Sequence, residues 1–298
     1  MTPKSNLILD VRGLTTQFGS LKAVDQISFA LPKGKTLGIV GESGSGKSVT
    51  ALSIMRLIQS PGQITGGEIY FHNGDQDSVD LLRLSEEEMR TYRGKKIGLI
   101  FQEPFSAFNP SYTCGSQIKE SLDIHHKLSS SESEDRIFNL LERVGINDPK
   151  RLYKSYPHEL SGGQLQRALI AMAVICKPDL IIADEPTTAL DVTIQKNVLD
   201  VFRGLVEELN ASVIFISHDL GLMREIADDV MVMYRGRVME RGPIENIFNQ
   251  PQHPYTKGLL ECRPRLNRLV RRLPVVSDFM EVIDDDVNDW KVDRKSVV

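Results

Sequence analysis

Eight consecutive residues combine glycines, a lysine and hydroxyl groups in a spacing that suits phosphate chemistry. Residues 41–48 fit the phosphate-binding pattern G-x-x-x-x-G-K-[ST] at every fixed position, after a short apolar run and before a helical pattern. Glycines let backbone N–H groups point at phosphate oxygens, and the following helix adds its positive N-terminal dipole. The expected phosphate cradle, or P-loop, consists of Gly41, Glu42, Ser43, Gly44, Ser45, Gly46, Lys47 and Ser48.

Two side chains of the P-loop have specific expected roles. Lys47 is expected to neutralise the β- and γ-phosphates of a nucleotide, and the Ser48 hydroxyl is expected to bind Mg²⁺. The alternative is a Gly/Ser-rich turn that binds nothing. That alternative requires both the eight-residue match and its strand–helix context to be coincidental.

Two carboxylates follow the apolar run at residues 180–183. The run predicts a buried strand, and Asp184 and Glu185 stand where that strand ends. Asp184 suits the coordination shell of Mg²⁺, and Glu185 suits a general base that orients an attacking water. Two acids at a strand end are often only a surface pair, so this interpretation depends on the P-loop upstream.

A second anion-binding pattern occurs in the segment Leu-Ser-Gly-Gly-Gln at residues 160–164. Ser161 is expected to cap a helix that runs from about Gln164 to Cys176, and Gly162 and Gly163 expose backbone N–H groups at its start. One nucleotide needs only one phosphate cradle, so the second pattern predicts contact with a nucleotide held by another subunit. A plain glycine-rich helix start is the alternative.

These candidate residues require a buried parallel sheet to position them. Short apolar runs at residues 37–40, 97–101, 180–183 and 213–216 are typical of such a sheet, and helical stretches separate them. We expect a helix over residues 49–59 directly after the P-loop. Ser85 and Glu88 predict a capping box for a short helix, and Ser131 and Glu134 predict a second one.

Composition and charge exclude several classes of protein. The chain has 298 residues, of which 41% are hydrophobic and 26% charged, and this composition is typical of a globular protein. The formal net charge of -4 argues against a dedicated nucleic-acid binder. The longest run without a polar residue spans residues 168–176, which is too short for a membrane helix of about 20 residues.

The order of the three motifs resembles the ATP-binding subunits of ABC transporters. The P-loop, LSGGQ and LIIADEPTTALD follow one another as in that family, and the resemblance covers about residues 6–262. It implies an α/β fold with a P-loop NTPase core, in which helices flank a mixed β-sheet. It also implies an antiparallel β subdomain, an α-helical subdomain at about 103–160 and a C-terminal extension. ATP and Mg²⁺ are the implied cofactors.

The family pattern implies roles for four more residues. Gln102 matches a glutamine that senses Mg²⁺ and the γ-phosphate and faces the membrane subunits, which completes an implied metal set with Ser48 and Asp184. His218 matches a histidine that contacts the γ-phosphate. Asp191 matches a loop that communicates across a dimer. Phe18 matches an aromatic that stacks on adenine, although a Phe in a β pattern is otherwise usually a core residue.

The end of the chain resembles the dipeptide and oligopeptide branch of the family. Residues 242–248, 252–260 and 263–266 carry this likeness, and we place the boundary between an ATP-binding domain at 1–245 and an extension at 246–298 with a polar, acidic tail. The branch implies three kinds of partner, namely a second, different ATPase subunit, two transmembrane permeases and an extracytoplasmic solute-binding protein. It also implies a location at the cytoplasmic face of the membrane. The resemblance chiefly implies import of dipeptides or oligopeptides. Some members move nickel or other small solutes, so it fixes neither the substrate nor the direction of transport.

The extension departs from the branch in its cysteines. Many members carry a cysteine-rich tail suited to an iron–sulfur cluster, which needs about four thiolates. Only Cys262 lies in this extension, so no cluster is expected, and residues 277–298 have no assigned role. The arginines at 263–272 form a basic cluster that the acids at 284–286 compensate, so we interpret this stretch as a solvated segment.

A soluble ABC ATPase that acts on ribosomes or DNA is the alternative from another class. Such proteins usually carry two cassettes or a long inserted coiled coil, whereas Ser48 and Ser161 lie only 113 positions apart and no heptads separate them. Transport is therefore favoured. Phe105 and Phe108, in the segment 103–112, are predicted to be exposed and to touch a permease. The pair His125-His126 is expected on a solvated helix.

Overall fold

The computed structural model describes residues 6–74, 77–188, 191–262, 281–282 and 290–291. These residues form two compact units. The first unit contains residues 6–10, 30–35 and 69–216, and the second contains residues 11–29, 36–68 and the described residues from 217 onward. The predicted domain boundary near residue 246 and the helical subdomain at 103–160 stay predictions.

Helices and strands alternate along the chain, and the α/β class is confirmed. The strands are β1 (Leu7–Phe18), β2 (Leu21–Pro32), β3 (Thr36–Val40), β4 (Gly62–His72), β5 (Ser78–Asp80), β6 (Ile97–Ile100), β7 (Leu180–Asp184), β8 (Ser212–Ser217), β9 (Asp229–Tyr234), β10 (Arg237–Pro243), β11 (Glu281–Val282) and β12 (Trp290–Lys291). The helices are α1 (Lys47–Ile54), α2 (Glu86–Tyr92), α3 (Pro104–Ala107), α4 (Cys114–His125), α5 (Ser130–Arg143), α6 (Pro149–Lys154), α7 (Gly162–Val174), α8 (Val192–Leu209), α9 (Leu220–Ile226), α10 (Ile244–Asn249) and α11 (Pro254–Glu261).

The first unit is built around three parallel strands in the order β8-β7-β6. Ile97 pairs with Leu180 in β7, and Leu180 in turn pairs with Ser212 in β8. Every residue of β7 and β8 is buried, as their uninterrupted apolar pattern predicts. The carboxyl ends of parallel strands meet at one edge of a sheet, so the residues that follow β6 and β7 become neighbours.

In the second unit, β3 pairs with β9 in parallel and β9 pairs with β10 in an antiparallel arrangement. Strands β2, β1 and β4 lie side by side in that order. The last residues of β4 belong to the first unit and pair with the antiparallel strand β5. The P-loop follows β3 directly and continues into α1.

Two predicted helix boundaries are wrong. The helix expected over residues 49–59 begins at Lys47 and ends at Ile54, because Arg56 adopts a left-handed backbone conformation with φ 52°. The helix expected to start at Ser131 begins one residue earlier, and its capping box joins Ser129 and Glu132. The capping box of Ser85 and Glu88 is confirmed at the start of α2.

The two consecutive histidines are more buried than the sequence predicts. His125 ends α4 and His126 caps it, and both side chains are half-buried. Burial lowers the pKa of both imidazoles, so the neutral form of each is favoured. The expectation of a solvated pair is therefore wrong.

Long apolar helices are absent from the described residues. None of their helices is both long enough and apolar enough to cross a membrane.

We predict that the cap of α5 can be located by mutation. Ser129→Ala removes the hydroxyl that accepts the Glu132 N–H, and the loss of an N-cap should reduce the free energy of unfolding by about 1 kcal/mol. Ser131→Ala is the matched control, because this exposed serine lies inside the helix and should change stability by less than about 0.5 kcal/mol. Urea unfolding of both variants checks the assignment, and equal effects would contradict it.

Candidate functional site

The P-loop closes around its own lysine. Lys47 starts α1 and is only 5% exposed, and its Nζ donates hydrogen bonds to the carbonyl oxygens of Gly41 and Glu42, both at 2.9 Å. A buried ammonium group requires such partners, because removal of an unpaired charge from water is costly. The loop therefore presents a fixed positive charge surrounded by its own backbone.

Two glycines of the P-loop cannot carry a side chain. A Cβ atom at Gly41 would lie 2.2 Å from the carbonyl oxygen of Met233, and one at Gly46 would lie 2.3 Å from that of Ala23. Both glycines have positive φ angles, and both clashes involve backbone atoms that cannot rotate away. The backbone of the loop therefore lies close against neighbouring strands of the second unit.

One hydroxyl of the P-loop is buried without a hydrogen-bond partner among the described residues. This is Ser45 Oγ, although the Ser45 carbonyl accepts a hydrogen bond from Gly236 N. An unsatisfied buried hydroxyl costs about 1–3 kcal/mol. A phosphate oxygen is an acceptor that would satisfy it, so the loop fits the phosphate group that its sequence predicts.

A basic cleft of about 550 Å³ opens beside the P-loop at Gly44. Lys22 and Arg237 contribute positive charge to its wall, and both are held by the carboxylate of Asp25, at 3.1 Å and 2.9 Å. A cleft with surplus positive charge favours an anionic ligand. Its lining is Ser20, Leu21, Lys22, Ala23, Asp25, Gly44, Arg235, Gly236 and Arg237.

In the first unit, the structure brings Gln102 and Glu185 into contact although 83 positions separate them. Gln102 Nε2 donates to Glu185 Oε2 at 3.2 Å. The contact forms because β6 and β7 are neighbours and the two residues follow their carboxyl ends. Asp184 ends β7 and is 8% exposed, whereas Glu185 is half-buried.

Glu185 is held in an unusual backbone conformation. Its φ angle is 47°, in the left-handed region that a residue with a side chain rarely adopts. The Glu185 N–H donates to the Ile216 carbonyl of the neighbouring strand at 3.0 Å, and this bond maintains the conformation. Strain of this kind occurs often at functional sites.

Sequence reasoning missed Thr188 as a partner of Glu185. Thr188 Oγ1 donates to Glu185 Oε2 at 2.8 Å, so this oxygen accepts hydrogen bonds from both Thr188 and Gln102. A turn, in which Thr188 N approaches the Glu185 carbonyl at 3.3 Å, places the hydroxyl there. The sequence signal was an acid followed three positions later by a threonine.

The signature segment forms the predicted helix cap. Ser161 Oγ accepts the Gln164 N–H at 3.3 Å, and Gln164 Oε1 accepts the Ser161 N–H at 3.1 Å. Helix α7 begins at Gly162, two residues before the predicted start, because both glycines already belong to its first turn. Contact of this helix start with another subunit's nucleotide stays a prediction.

The structure places the three remaining sequence-predicted residues as follows. Asp191 is the N-cap of α8 and accepts the Ile194 N–H at 3.0 Å. His218 is exposed and directly follows β8. Phe18 is half-buried and its ring covers Gly62, where an added Cβ would lie 2.5 Å from the ring edge. The functional roles of these residues stay predictions.

The two phenylalanines of the segment 103–112 differ in exposure. Phe105 lies in α3 and is 56% exposed, as predicted, but Phe108 is only 3% exposed. The prediction for Phe108 is wrong, because the residue caps the short helix α3 and its side chain enters the core of the first unit. Phe105 therefore remains the exposed aromatic of the pair.

Two family comparisons agree with this geometry. Residues 24–188 match the sequence model of the ABC transporter family. The chain belongs to the ABC transporter family. Residues 239–278 match the C-terminal region of oligopeptide/dipeptide transporters, which confirms the resemblance to that branch. As an ATPase of this family, the protein binds nucleotide.

Relatives of this ABC protein extend over most of its length. It is 50% identical over 265 residues to the dipeptide transport ATP-binding protein DppD of Bacillus subtilis, which covers 87% of this chain and 78% of DppD. It is also 50% identical over 264 residues, with the same coverage, to a Brucella ovis protein named for an ATP-binding role in peptide import.

Solved cassettes share its fold. A dimeric ATP-binding cassette in a post-hydrolysis state with ADP and Pi has a TM-score of 0.70 and 27% identity, covering 79% of this chain and 98% of that one. CbiO1 of Clostridium perfringens, part of the CbiONQ transporter complex, has a TM-score of 0.68 and 26% identity, covering 82% and 92%. The predicted P-loop NTPase fold is confirmed.

We predict that Thr188 orients the Glu185 carboxylate of this ABC ATPase. Thr188→Val keeps the shape of the side chain but removes the donor, and we expect kcat for ATP hydrolysis to fall about tenfold because a hydrogen bond to a charged group is lost. The KM for ATP should stay within about twofold, since the bond does not involve bound nucleotide. Thr188→Ser is the matched control and should retain most of kcat. Wild-type turnover in Thr188→Val would contradict the role.

Proposed function

We propose that this chain hydrolyses ATP to energise the import of dipeptides and oligopeptides through an ABC transporter. The main support is the match of residues 239–278 to the C-terminal region of oligopeptide/dipeptide transporters. The 50% identity to a dipeptide transport protein over most of both chains adds to it. The P-loop with its buried lysine and unsatisfied serine hydroxyl supports nucleotide binding.

The P-loop residues 41–48 hold the phosphates of ATP. Lys47 turns from the two backbone carbonyls toward the β- and γ-phosphates, and Ser45 Oγ gains an acceptor. Phe18 stacks on the adenine. Ser48, Asp184 and Gln102 would hold Mg²⁺, because their hydroxyl, carboxylate and amide oxygens are ligands that this ion prefers. When bound, Mg²⁺ neutralises charge on the phosphate oxygens.

Glu185 serves as the general base for hydrolysis. Its carboxylate accepts a proton from the attacking water, while Thr188 and Gln102 donate hydrogen bonds that orient it. His218 contacts the γ-phosphate. The oriented carboxylate contributes the proton transfer, and Lys47 stabilises charge that develops on the phosphates.

The subunit works in an assembly at the cytoplasmic face of the membrane. Its partners are a second ATPase subunit, two transmembrane permeases and an extracytoplasmic solute-binding protein. Gln102 and the exposed Phe105 contact a permease, because an exposed aromatic beside the nucleotide-sensing glutamine suits such a surface. The nucleotide on the partner ATPase is contacted by Ser161, Gly162, Gly163 and Gln164. Asp191 takes part in communication between the two ATPase subunits.

Peptide import is tested in the assembled transporter. We expect peptides delivered by the binding protein to stimulate ATP hydrolysis in proteoliposomes, and Lys47→Ala to abolish both hydrolysis and uptake because the charge facing the phosphates is lost. Nickel is the control solute. Stimulation by nickel or another small solute but not by peptides would show that peptides are not the substrate. Near wild-type turnover in folded Lys47→Ala would contradict the assignment of the ATP site.

The shared dimer site makes a separate prediction. Glu185→Gln keeps the shape of the side chain but removes the base, so hydrolysis should fall by about 10²–10⁴-fold while ATP still stabilises the dimer with the second ATPase subunit. Adding Ser161→Arg to this variant should break the dimer without preventing ATP binding to the P-loop of the same chain. Size-exclusion chromatography with ATP measures both effects. A Glu185→Gln chain that stays monomeric with ATP and partner would contradict the shared site.

A further inference from the structure

The C-terminal part of the second unit reaches the P-loop through one buried tyrosine. Tyr255 lies in the first turn of α11 and is fully buried. Its hydroxyl oxygen accepts a hydrogen bond from the backbone N–H of Glu42 at 3.2 Å, across 213 positions of sequence. The sequence around Tyr255 resembles the oligopeptide branch and by itself predicts no role at the nucleotide site.

This hydrogen bond holds one end of a peptide group whose other end is held by Lys47. The Glu42 N–H and the Gly41 carbonyl belong to the same peptide group, and Lys47 Nζ donates to that carbonyl at 2.9 Å. If Lys47 turns toward phosphate, this restraint on the carbonyl is released. Of the two bonds, only the one from Tyr255 then continues to fix the orientation of the peptide group.

The tyrosine is anchored firmly enough to act as a fixed point. Its ring packs against Tyr234 with a centroid distance of 4.6 Å, and Tyr234 ends β9 next to Met233, whose carbonyl lies against Gly41. The start of α11 is fixed as well, because the Glu240 carboxylate accepts the N–H groups of Gln252 at 2.7 Å and His253 at 3.0 Å. These contacts restrict how far the hydroxyl can follow a displaced loop.

The Tyr255 hydroxyl stays protonated under physiological conditions. Burial raises the pKa of this phenol well above its usual value. The oxygen is thus a neutral acceptor, and its contact with Glu42 does not depend on pH near neutrality.

We propose that Tyr255 is a positioning residue for nucleotide binding, through which α11 holds the opening turn of the P-loop in its phosphate-binding conformation. This inference rests on the proposed function, because it concerns the same ATP site. It assigns to the segment after β10 a direct effect on ATP affinity. A merely structural role for this segment would affect stability and leave affinity unchanged.

Tyr255→Phe tests the proposal, because it keeps the ring and its packing but removes the acceptor. We expect the Kd for ATP, measured with a fluorescent ATP analogue, to rise about three- to tenfold through loss of one hydrogen bond. At saturating ATP, kcat should change by less than about twofold, since binding fills the site. In the nucleotide-free protein, hydrogen–deuterium exchange at the Glu42 amide should become faster.

Tyr234→Phe is the matched control. It removes a hydroxyl from the same ring pair, and in the described part of the chain that hydroxyl does not bond to the P-loop. Its Kd for ATP should stay within about twofold of wild type. An unchanged Kd in Tyr255→Phe, or a lowered melting temperature with no change in Kd, would overturn the positioning role. Failure of the wild-type protein to bind ATP would instead refute the proposed function.

Discussion

A buried positive charge dominates the second unit. Lys47 lies at the start of α1 almost out of contact with solvent, and its ammonium group is held by backbone carbonyls of the loop that it closes. Such a charge is tolerated only where polar partners surround it. Because a Cβ atom at Gly41 or Gly46 would clash with backbone atoms of neighbouring strands, the backbone of the loop is closely confined, whereas the Lys47 side chain can turn without moving those strands. The conformation that suits phosphate is therefore present before nucleotide arrives.

In the first unit, the main feature is a carboxylate that is held in one orientation at the end of a strand. Glu185 leaves β7 in a left-handed conformation that costs about 1–3 kcal/mol, and a backbone bond to β8 offsets part of that cost. Two donors, Gln102 and Thr188, then converge on one carboxylate oxygen. Since one donor follows β6 and the other follows Glu185 itself, the orientation of the carboxylate depends on both strand order and a local turn.

The segment after β10 connects the branch-specific part of the sequence to the P-loop. Glu240 accepts a hydrogen bond that fixes the start of α11, and Tyr255 in that helix accepts a hydrogen bond from the backbone of the P-loop. Its packing against Tyr234 adds an aromatic contact to the same strand that confines Gly41. A feature that distinguishes one branch of a large family can thus act on machinery that the whole family shares.

The sequence by itself determined the features that depend on short spacings. The P-loop, the strand ending in Asp184 and the caps at Ser85 and Ser161 follow from residues within a few positions of one another, because turns and first helical turns are local. Around α5 the same rule failed. The serines at 129–131 offer S-x-x-E twice, and the helix uses the first, although the local spacing does not distinguish the two.

Contacts between distant residues were decided by the tertiary structure. No local pattern shows that Gln102 meets Glu185, that Phe108 turns inward, or that Tyr255 reaches Glu42. Each depends on which strands become neighbours and which side chains fill the core. Strand order and core packing are set by the burial of the whole chain, and a spacing of a few residues does not encode them.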